Sequence, residues 1–245
     1  MVEFKSKIIE IKDYGAADHN PVRVFKVKLL VTVPPFNYVP GQFAMLGSEK
    51  VRMTANSALY KWASFSISSS PTQEGFLEFA INDGTPEGVS HCVFLSNVGE
   101  ELFVKGPFGK FTLNESAFDR FLLIATGTGV APIMSMARFL LDSKNAKPIH
   151  VFYGFRFEDL FLYKEELEGF SRAHENFSFT PIVSRPSPQW KGLKGHVQSA
   201  LKETHFEAKE KTGVYICGRP PIVEEIVAAL KTLGFPEQNI FFEKW

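Results

Sequence analysis

The stretch Ile124-Ala125-Thr126-Gly127-Thr128-Gly129-Val130-Ala131-Pro132 decides the fold. Its apolar start predicts a buried strand, and Pro132 suits the first turn of a helix, where a missing N–H is no loss. Gly127 and Gly129 remove side chains at the turn, and a helix N-terminus offers free amides to a phosphate. The stretch lacks the third glycine of the dinucleotide-binding fingerprint, since Pro132 takes its place. Taken alone, it fits a phosphate-binding loop and a tight strand–helix corner equally well.

The strand–turn–helix pattern repeats through the second half of the chain. Apolar runs predict strands at residues 121–125, 149–153, 179–183 and 214–217. Between and after them, helical patterns cover residues 132–141, 162–170 and 221–230. Continuously apolar strands that alternate with helices indicate a parallel sheet covered on both faces. We therefore predict an α/β domain.

The first half of the chain carries only short strands, turns and one short helix. Residues 23–29 alternate apolar and polar side chains, which is the period of a half-buried strand. Further strands are predicted at 42–46, 63–68, 76–81 and 101–104, with turns at 33–35 and 39–41 and a helix at 90–95. Many short strands with turns between them favour a small antiparallel β-barrel. We place the boundary near residue 115, giving domains of residues 1–115 and 116–245.

Composition excludes several classes of function. Among 245 residues, 27 lysines and arginines balance 27 aspartates and glutamates, so nothing favours nucleic acid or an anionic membrane as a partner. Cys92 and Cys217 are the only cysteines, too few for an iron–sulfur cluster or a cysteine zinc site, and no metal is predicted. Residues 1–5 begin no long apolar run, so we expect no signal peptide, no membrane span and a cytoplasmic location.

Seven segments, in order, resemble the ferredoxin–NADP reductase superfamily, in which a flavin-binding barrel precedes a nicotinamide-binding α/β domain. The resemblance covers nearly the whole chain. The segments are YVPGQF (38–43), FSISSSP (65–71), GVS (88–90), GPFG (106–109), GTGVAP (127–132), CGRPP (217–221) and EKW (243–245). Each motif is weak alone, but their order and spacing make the set specific. The resemblance favours the phosphate-binding interpretation of the opening stretch.

The resemblance places a flavin, FAD rather than FMN, against residues 65–68. Phe65 would supply a flat wall and Ser66 a hydroxyl at the reactive nitrogen N5, with Ile67 and Ser68 on the same strand. Without the resemblance, a core phenylalanine and a solvated serine would be the better interpretation.

The flavin phosphate is expected at a helix start formed by Gly88, Val89 and Ser90, with Ser90 as a capping residue. The alternative is a cap with no ligand. The family usually carries an arginine two residues before the flavin aromatic, where this chain has Ala63. Lys61 lies on the same strand face and is the first candidate to replace it, with Arg52 as the second. This departure leaves the choice of FAD over FMN less secure.

The resemblance assigns the nicotinamide pyrophosphate to Gly127, Thr128, Gly129 and Pro132. Beyond the third strand, Ser184, Arg185 and Lys194 form a basic loop suited to a 2′-phosphate, because arginine makes bidentate phosphate contacts. The alternative is a solvated basic loop. NADPH is favoured, although NAD-using relatives carry similar loops.

The resemblance brings four further residues to the reacting atoms. Cys217, with Gly218 after it, would lie beside the nicotinamide carbon and act by contact rather than as a nucleophile; otherwise it is a small buried hydrophobe. Glu243 would hydrogen-bond to Ser66 and help to transfer a proton. Trp245 would stack on the flavin and move aside for the nicotinamide; otherwise it packs on the barrel or frays.

The function implied is hydride transfer between NADPH or NADH and a flavin, and electron transfer from the flavin to a separate acceptor. Ferredoxin, flavodoxin or an oxygenase or dehydrogenase component is the expected partner, either direction is open, and a monomer is the default. Two alternatives remain: an electron-transfer subunit of a larger complex, and a non-catalytic nucleotide-binding redox sensor. Retention of Ser66, Cys217, Glu243 and Trp245 together argues against the sensor.

Overall fold

A computed structural model describes residues 3–30, 35–53, 60–144 and 146–245. Val33 and Pro34, in the turn predicted at 33–35, lie outside the described residues. The chain forms two six-stranded sheets, one after the other. None of the helices in the described ranges combines the length and apolar character that crossing a membrane requires.

The first sheet is an antiparallel barrel, and with helix α1 it is called the barrel below. Its spatial order is β4-β3-β6-β1-β2-β5, and an isolated bridge between Ile67 and Phe79 joins the end of β4 to β5, closing the sheet. Apolar side chains such as Ile8 and Leu46 fill its interior. The elements are β1 (Glu3–Tyr14), β2 (Val22–Leu29), β3 (Phe43–Arg52), β4 (Tyr60–Ser66), β5 (Leu77–Asn82), α1 (Val89–Phe94) and β6 (Glu101–Phe108).

The second sheet is parallel, and with its helices it is called the α/β unit below. Its order is β10-β9-β8-β7-β11-β12. Leu123 and Ala125 of the first strand face one apolar core, whereas Leu122 and Ile124 face the other, which explains why this strand is apolar throughout. The elements are β7 (Arg120–Thr126), α2 (Val130–Asp142), β8 (Ile149–Phe155), α3 (Lys164–Ala173), β9 (Phe177–Val183), β10 (Leu193–Lys194), α4 (Val197–Glu203), β11 (Thr212–Gly218), α5 (Pro220–Thr232) and β12 (Ile240–Lys244).

Both predicted architectures are confirmed, an antiparallel barrel followed by a parallel α/β sheet. The sequence analysis did not identify strand β1 or helix α4. The chain passes between the sheets from Phe108 to Arg120, and the boundary near residue 115 lies in this connection and stays a prediction.

Candidate functional site: two cavities that meet at Trp245

The strand order of the α/β unit creates a crevice at the ends of β7 and β11. The chain runs outward from β7 through β8 and β9 to β10, and then returns to the other side of β7 as β11. In open α/β sheets, such a reversal leaves a crevice at the carboxyl ends of the strands, where ligands bind. The glycine stretch quoted first lies at this point, at the end of β7.

At two positions in this crevice, only a glycine leaves room for the neighbouring atoms. A Cβ on Gly129 would lie 2.3 Å from the carbonyl oxygen of Cys217, and one on Gly218 would lie 2.1 Å from Oγ1 of Thr126. Gly127 differs, because it has a φ of +57° and open space where its Cβ would be. The tight-corner interpretation therefore accounts for Gly129 and Gly218, whereas Gly127 faces space that a ligand can use.

A cleft of about 430 Å³ opens at the carboxyl edge of the parallel sheet, and we call it the α/β cleft. Gly127, Thr128, Ser184 and Arg185 line it, as the sequence predicted for the nicotinamide cofactor, but Lys194 is not among its described lining residues. Oγ1 of Thr126 lies buried at the cleft without a hydrogen-bond partner. Buried hydroxyls in proteins are normally hydrogen-bonded, so this one is an exception.

The outer end of the α/β cleft is organised around Phe157. The ring of His19, from the barrel, stacks on it with centroids 3.6 Å apart, and Nδ1 of His19 lies 2.8 Å from a carboxylate oxygen of Asp159. The guanidinium carbons of Arg156 and Arg185 lie 5.3 and 6.0 Å from the same ring. Two arginines and one histidine thus gather where the basic loop was predicted.

The sequence analysis missed Arg156 and His19. Arg156 directly follows strand β8, just as Ser184 and Arg185 follow β9, so the carboxyl-edge rule identifies it once β8 is known. No local pattern identifies His19, because it reaches the cleft from the other sheet.

A second cavity, of about 260 Å³, lies against β4 and β5 of the barrel, and we call it the barrel cavity. Phe65, Ser66 and Ser90, three of the residues assigned to the flavin by the resemblance, line it. Trp245, half exposed, lines this cavity and also the α/β cleft, and so do Thr128 and Asn82. The two cavities therefore meet at Trp245.

Four predicted catalytic residues converge at this junction. Cys217 and Glu243 are register partners on the parallel strands β11 and β12. Oγ of Ser66 is 3.5 Å from Oε2 of Glu243, a long contact, and the backbone N–H of Trp245 donates to the carbonyl of Gly218 at 3.4 Å.

Burial sets the protonation of the two titratable groups. The Cys217 thiol is almost fully buried, and burial, with the charge of Glu243 as a smaller cause, raises its pKa. It is therefore a neutral thiol and not a thiolate. Burial also raises the pKa of the Glu243 carboxyl, and the bond from Ser66 only partly opposes this. A carboxyl of this kind retains a proton more readily than an exposed one.

Several predicted binding residues do not line either cavity within the described chain. Ile67, Val89 and Pro132 are buried in the cores, and Ser68 is buried with its hydroxyl bonded to Glu78. Gly129 and Gly218 have the packing role given above.

The prediction that Ser90 caps helix α1 is wrong. The helix begins at Val89 with Gly88 as its N-cap, and no side chain forms a capping bond there. Ser90 lies inside the first turn, one residue too late to cap it. Lys61 lies near this turn, because its Nζ donates to the carbonyl of Glu87 at 3.1 Å.

A cavity on the barrel thus meets, at one aromatic ring, a cleft at the carboxyl edge of the parallel sheet. A family model described as "Oxidoreductase NAD-binding domain" matches residues 123–228. Ferredoxin–NADP reductase B of Sorangium cellulosum is 31% identical over 189 residues, which cover 74% of this chain and 77% of that protein. The chain belongs to the ferredoxin–NADP reductase family, as the sequence motifs predicted.

Other relatives extend this picture. The anthranilate 1,2-dioxygenase electron transfer component of Acinetobacter baylyi is 28% identical over 216 residues, covering 87% of this chain and 60% of that protein. This chain thus spans about 60% of such components. The solved structure of a ferredoxin NADP⁺ reductase from Neisseria gonorrhoeae, with bound FAD and NADP, shares the fold with a TM-score of 0.79 at 18% identity, covering 99% and 98% of the two chains. FAD and NAD(P)H are the cofactors of the family, and its members are oxidoreductases, as predicted.

Proposed function

We propose that this chain transfers hydride between NADPH and FAD, and that the flavin then exchanges electrons with a separate protein. The observation that carries the proposal is the junction at Trp245, where the α/β cleft and the barrel cavity share three lining residues. A flavin in the barrel cavity and a nicotinamide in the cleft would meet there. Hydride transfer requires such contact, because reacting atoms must approach to about 3–3.5 Å.

The residues of the α/β cleft fit a dinucleotide. Gly127 leaves open space at the end of β7, and the unpaired hydroxyl of Thr126 is positioned to donate to a pyrophosphate oxygen. Thr128 lies at the junction, with its Oγ1 3.2 Å from Oδ1 of Asn82. Arg185, with Ser184 beside it, holds the 2′-phosphate, and Lys194 on the short strand β10 acts at longer range.

The barrel cavity fits an isoalloxazine ring. Phe65 packs on the barrel core and supplies a flat wall, and the Ser66 hydroxyl is the hydrogen-bonding group at its edge. FAD, when bound, supplies the exchange between two-electron and one-electron chemistry. Gly88, Val89 and Ser90 are assigned to its phosphates, with Lys61 providing a positive charge nearby. Ala63, which packs against the barrel core, leaves FMN as the alternative flavin.

At the junction, the protein's own groups orient the rings and manage one proton. The buried, neutral Cys217 excludes water from the reacting carbon. Glu243 takes up and releases one proton at its carboxyl and exchanges it through Ser66. Trp245 covers the ring in the barrel cavity and moves aside for the nicotinamide.

Ferredoxin, flavodoxin or an oxygenase component is the proposed electron partner of a monomer in the cytoplasm. Relatives named as a ferredoxin–NADP reductase and as dioxygenase electron transfer components support this class. A permanent subunit of a larger oxygenase or dehydrogenase complex is the alternative, because several of the relatives carry names of that kind.

The test is an absorption spectrum of the purified protein after FAD or FMN is added and excess flavin removed. We expect a bound flavin, with FAD binding more tightly, and anaerobic bleaching of its visible band by NADPH faster than by NADH. Stoichiometric reduction of an added ferredoxin or flavodoxin then tests the acceptor. A protein that retains neither flavin, or that keeps an oxidised spectrum with both nicotinamides, would refute the proposal.

A further inference from the structure

One face of helix α2 bonds to the chain segment that follows the flavin-binding strand of the barrel. Ser135, Arg138 and Asp142 have the spacing i, i+3, i+7, which places them on one side of a helix. Oγ of Ser135 donates to the carbonyl of Ser69 at 2.7 Å, and the hydroxyl of Thr72 donates to Oδ2 of Asp142 at 2.5 Å. About two turns of the helix are thereby attached to the segment 68–72.

The central contact on this face is a buried cluster of charges. Nη1 of Arg138 lies 2.7 Å from Oε1 of Glu78 on β5 and donates to the carbonyl of Ser68 at 2.7 Å. Its Nε and Nη2 donate to the two carboxylate oxygens of Glu166 on α3, at 2.7 and 2.6 Å. Arg138 and Glu78 are each 4% exposed. The buried Arg138 thus forms ion pairs with one acid of the barrel, Glu78, and one acid of the α/β unit, Glu166.

The positive charge of Arg138 is stabilised by its two acids. Burial opposes the charged guanidinium, but the bonds from Glu166 and the charges of both acids outweigh it and raise the pKa of Arg138. Buried ion pairs contribute little net stability, although removal of one partner is costly, so their value lies in the geometry they impose. Nothing in the hydride transfer proposed above uses these groups.

Helix α2 is attached to strand β5 at two points. Near the junction, Thr128 bonds to Asn82, and farther along the helix Arg138 bonds to Glu78. Ten residues separate the helix-side contacts, about 15 Å of helix. Four residues separate the strand-side contacts, about 13 Å of strand. These two bonds thus join both ends of the chain from Thr128 to Arg138 to strand β5.

Both attached elements lead directly to the two cavities. Thr128 precedes α2 and lines both of them, and Asn82 at the end of β5 does the same. The segment 68–72 continues from Ser66, and its Ser69 hydroxyl also accepts the backbone N–H of Glu78 and bonds to Tyr38. A shift of α2 along β5 would therefore displace one cavity relative to the other.

We propose that Arg138 is a positioning residue that, through Glu78 and the segment 68–72, sets the register between the α/β cleft and the barrel cavity. The change in reaction rate that this role predicts rests on the proposed hydride transfer. The change in structure that it predicts does not.

The cluster offers a matched pair of variants. Glu78→Gln and Glu166→Gln remove the same charge by the same chemical change, and each leaves Arg138 paired with one acid. Only Glu78 bonds across the two halves, because Glu166 lies in the α/β unit with Arg138. An effect of removing one acid from Arg138 would appear in both variants, although the Glu166 side chain is 32% exposed and the Glu78 side chain only 5%.

The first readout needs no cofactor. Hydrogen exchange is followed at the amides of residues 68–73 in protein free of nucleotides. The amides of Ser68 and Gln73 are bonded in this segment, to the carbonyls of Glu78 and Ser70. We expect at least about tenfold faster exchange there in Glu78→Gln, with parent rates in Glu166→Gln. Equal changes in the two variants, or none in Glu78→Gln, would overturn the proposal.

The second readout is flavin reduction by saturating NADPH in anaerobic stopped flow. We expect the rate in Glu78→Gln to fall at least about tenfold, because a displacement of about 1 Å at the reacting atoms can cost a hundredfold. The KM for NADPH should stay at the parent value, since most of the α/β cleft moves as one body. A rise in KM with an unchanged rate would contradict the positioning role.

If Glu78→Gln does not fold, Ser135→Ala replaces it. This variant removes one neutral bond to the barrel and leaves the charges in place. It should change exchange at residues 68–73 in the same direction by a smaller factor, and parent exchange would overturn the proposal. If the parent itself shows no flavin reduction, the proposed function fails, and hydrogen exchange alone decides the register proposal.

Discussion

The α/β cleft and the barrel cavity differ in whether backbone or side-chain atoms form most of their walls. Much of the α/β cleft is backbone at the ends of parallel strands, where glycines allow close approach and leave space. The barrel cavity is formed largely by side chains, chiefly Phe65, Ser66 and Trp245, that come together only when the barrel has closed and the last strand has joined the second sheet. A binding site formed by backbone atoms can be recognised in the sequence by its glycines. A site formed by side chains from distant parts of the chain has no local sequence pattern by which to recognise it.

The sharpest test of this difference compares two glycines of one loop. Gly129→Ala places a Cβ 2.3 Å from the carbonyl oxygen of Cys217, and its nearest neighbours are backbone atoms of Cys217 and Gly218, which cannot rotate away as a side chain would. We expect a loss of about 3 kcal/mol or more in the free energy of unfolding, measured in urea.

Gly127→Ala is the control, because its Cβ meets open space and only the left-handed backbone opposes it. It should cost about 1–2 kcal/mol and weaken NADPH binding instead. Equal losses of stability would show that Gly127 is also part of the corner, and that the cleft is not separate from the packing.

Ser66→Ala tests the side-chain site. Loss of the hydroxyl from the edge of the flavin should slow flavin reduction by about a hundredfold while leaving flavin binding intact, since a positioned proton-transfer group typically contributes at least that factor. Anaerobic stopped flow with NADPH measures it. Ser64→Ala, two residues earlier on the same cavity wall, should retain the parent rate. A similar loss in both variants would remove the specific role of Ser66.

Arg185→Ala tests cofactor choice at the outer end of the α/β cleft. Loss of a charged contact to phosphate is worth about 1.5–3 kcal/mol, so the KM for NADPH should rise tenfold or more while that for NADH changes little. Arg156→Ala should act in the same direction. Lys194→Ala should have a much smaller effect, because this side chain does not line the cleft among the described residues. Equal effects on NADPH and NADH would exclude 2′-phosphate recognition.

Glu243→Gln should give a small, pH-dependent gain in stability. Burial raises the folded-state pKa of Glu243, so its contribution to stability is fully present below the unfolded pKa and is lost as pH rises through the folded value. Glutamine cannot lose this proton, and the variant should therefore be more stable than the parent at neutral pH and equal to it at low pH. Thermal unfolding between pH 4 and 8 measures the difference. A gain that does not change with pH would indicate altered packing instead.

The sequence predicted the backbone-built features best. Strand β7, the glycine turn and helix α2 follow from residues 124–132 alone, because apolar periodicity and glycine placement are local properties. Strand β1 was missed even though Phe4, Ser6 and Ile8 alternate toward the barrel interior, since the charged residues between them hide a short apolar pattern.

The contacts that cross between the two sheets were not predictable. His19 reaches the α/β cleft and Arg138 reaches Glu78 through the tertiary fold, across sequence separations that no local rule spans. The junction of Ser66, Cys217, Glu243 and Trp245 was predicted only through the family resemblance, because four residues on three strands and a chain end share no periodicity.

The junction at Trp245 is central to the proposed function. Removal of this residue tests the proposed function most directly. The measurement is steady-state kinetics of the Trp245 deletion with NADPH and NADH, recorded beside its flavin spectrum. We predict an altered spectrum from an uncovered flavin, tighter nicotinamide binding, and a shift of preference toward NADH, because the nicotinamide no longer competes with the indole. A deletion variant whose spectrum, KM values and cofactor preference all equal those of the parent would contradict the claim that the two cavities meet at this ring.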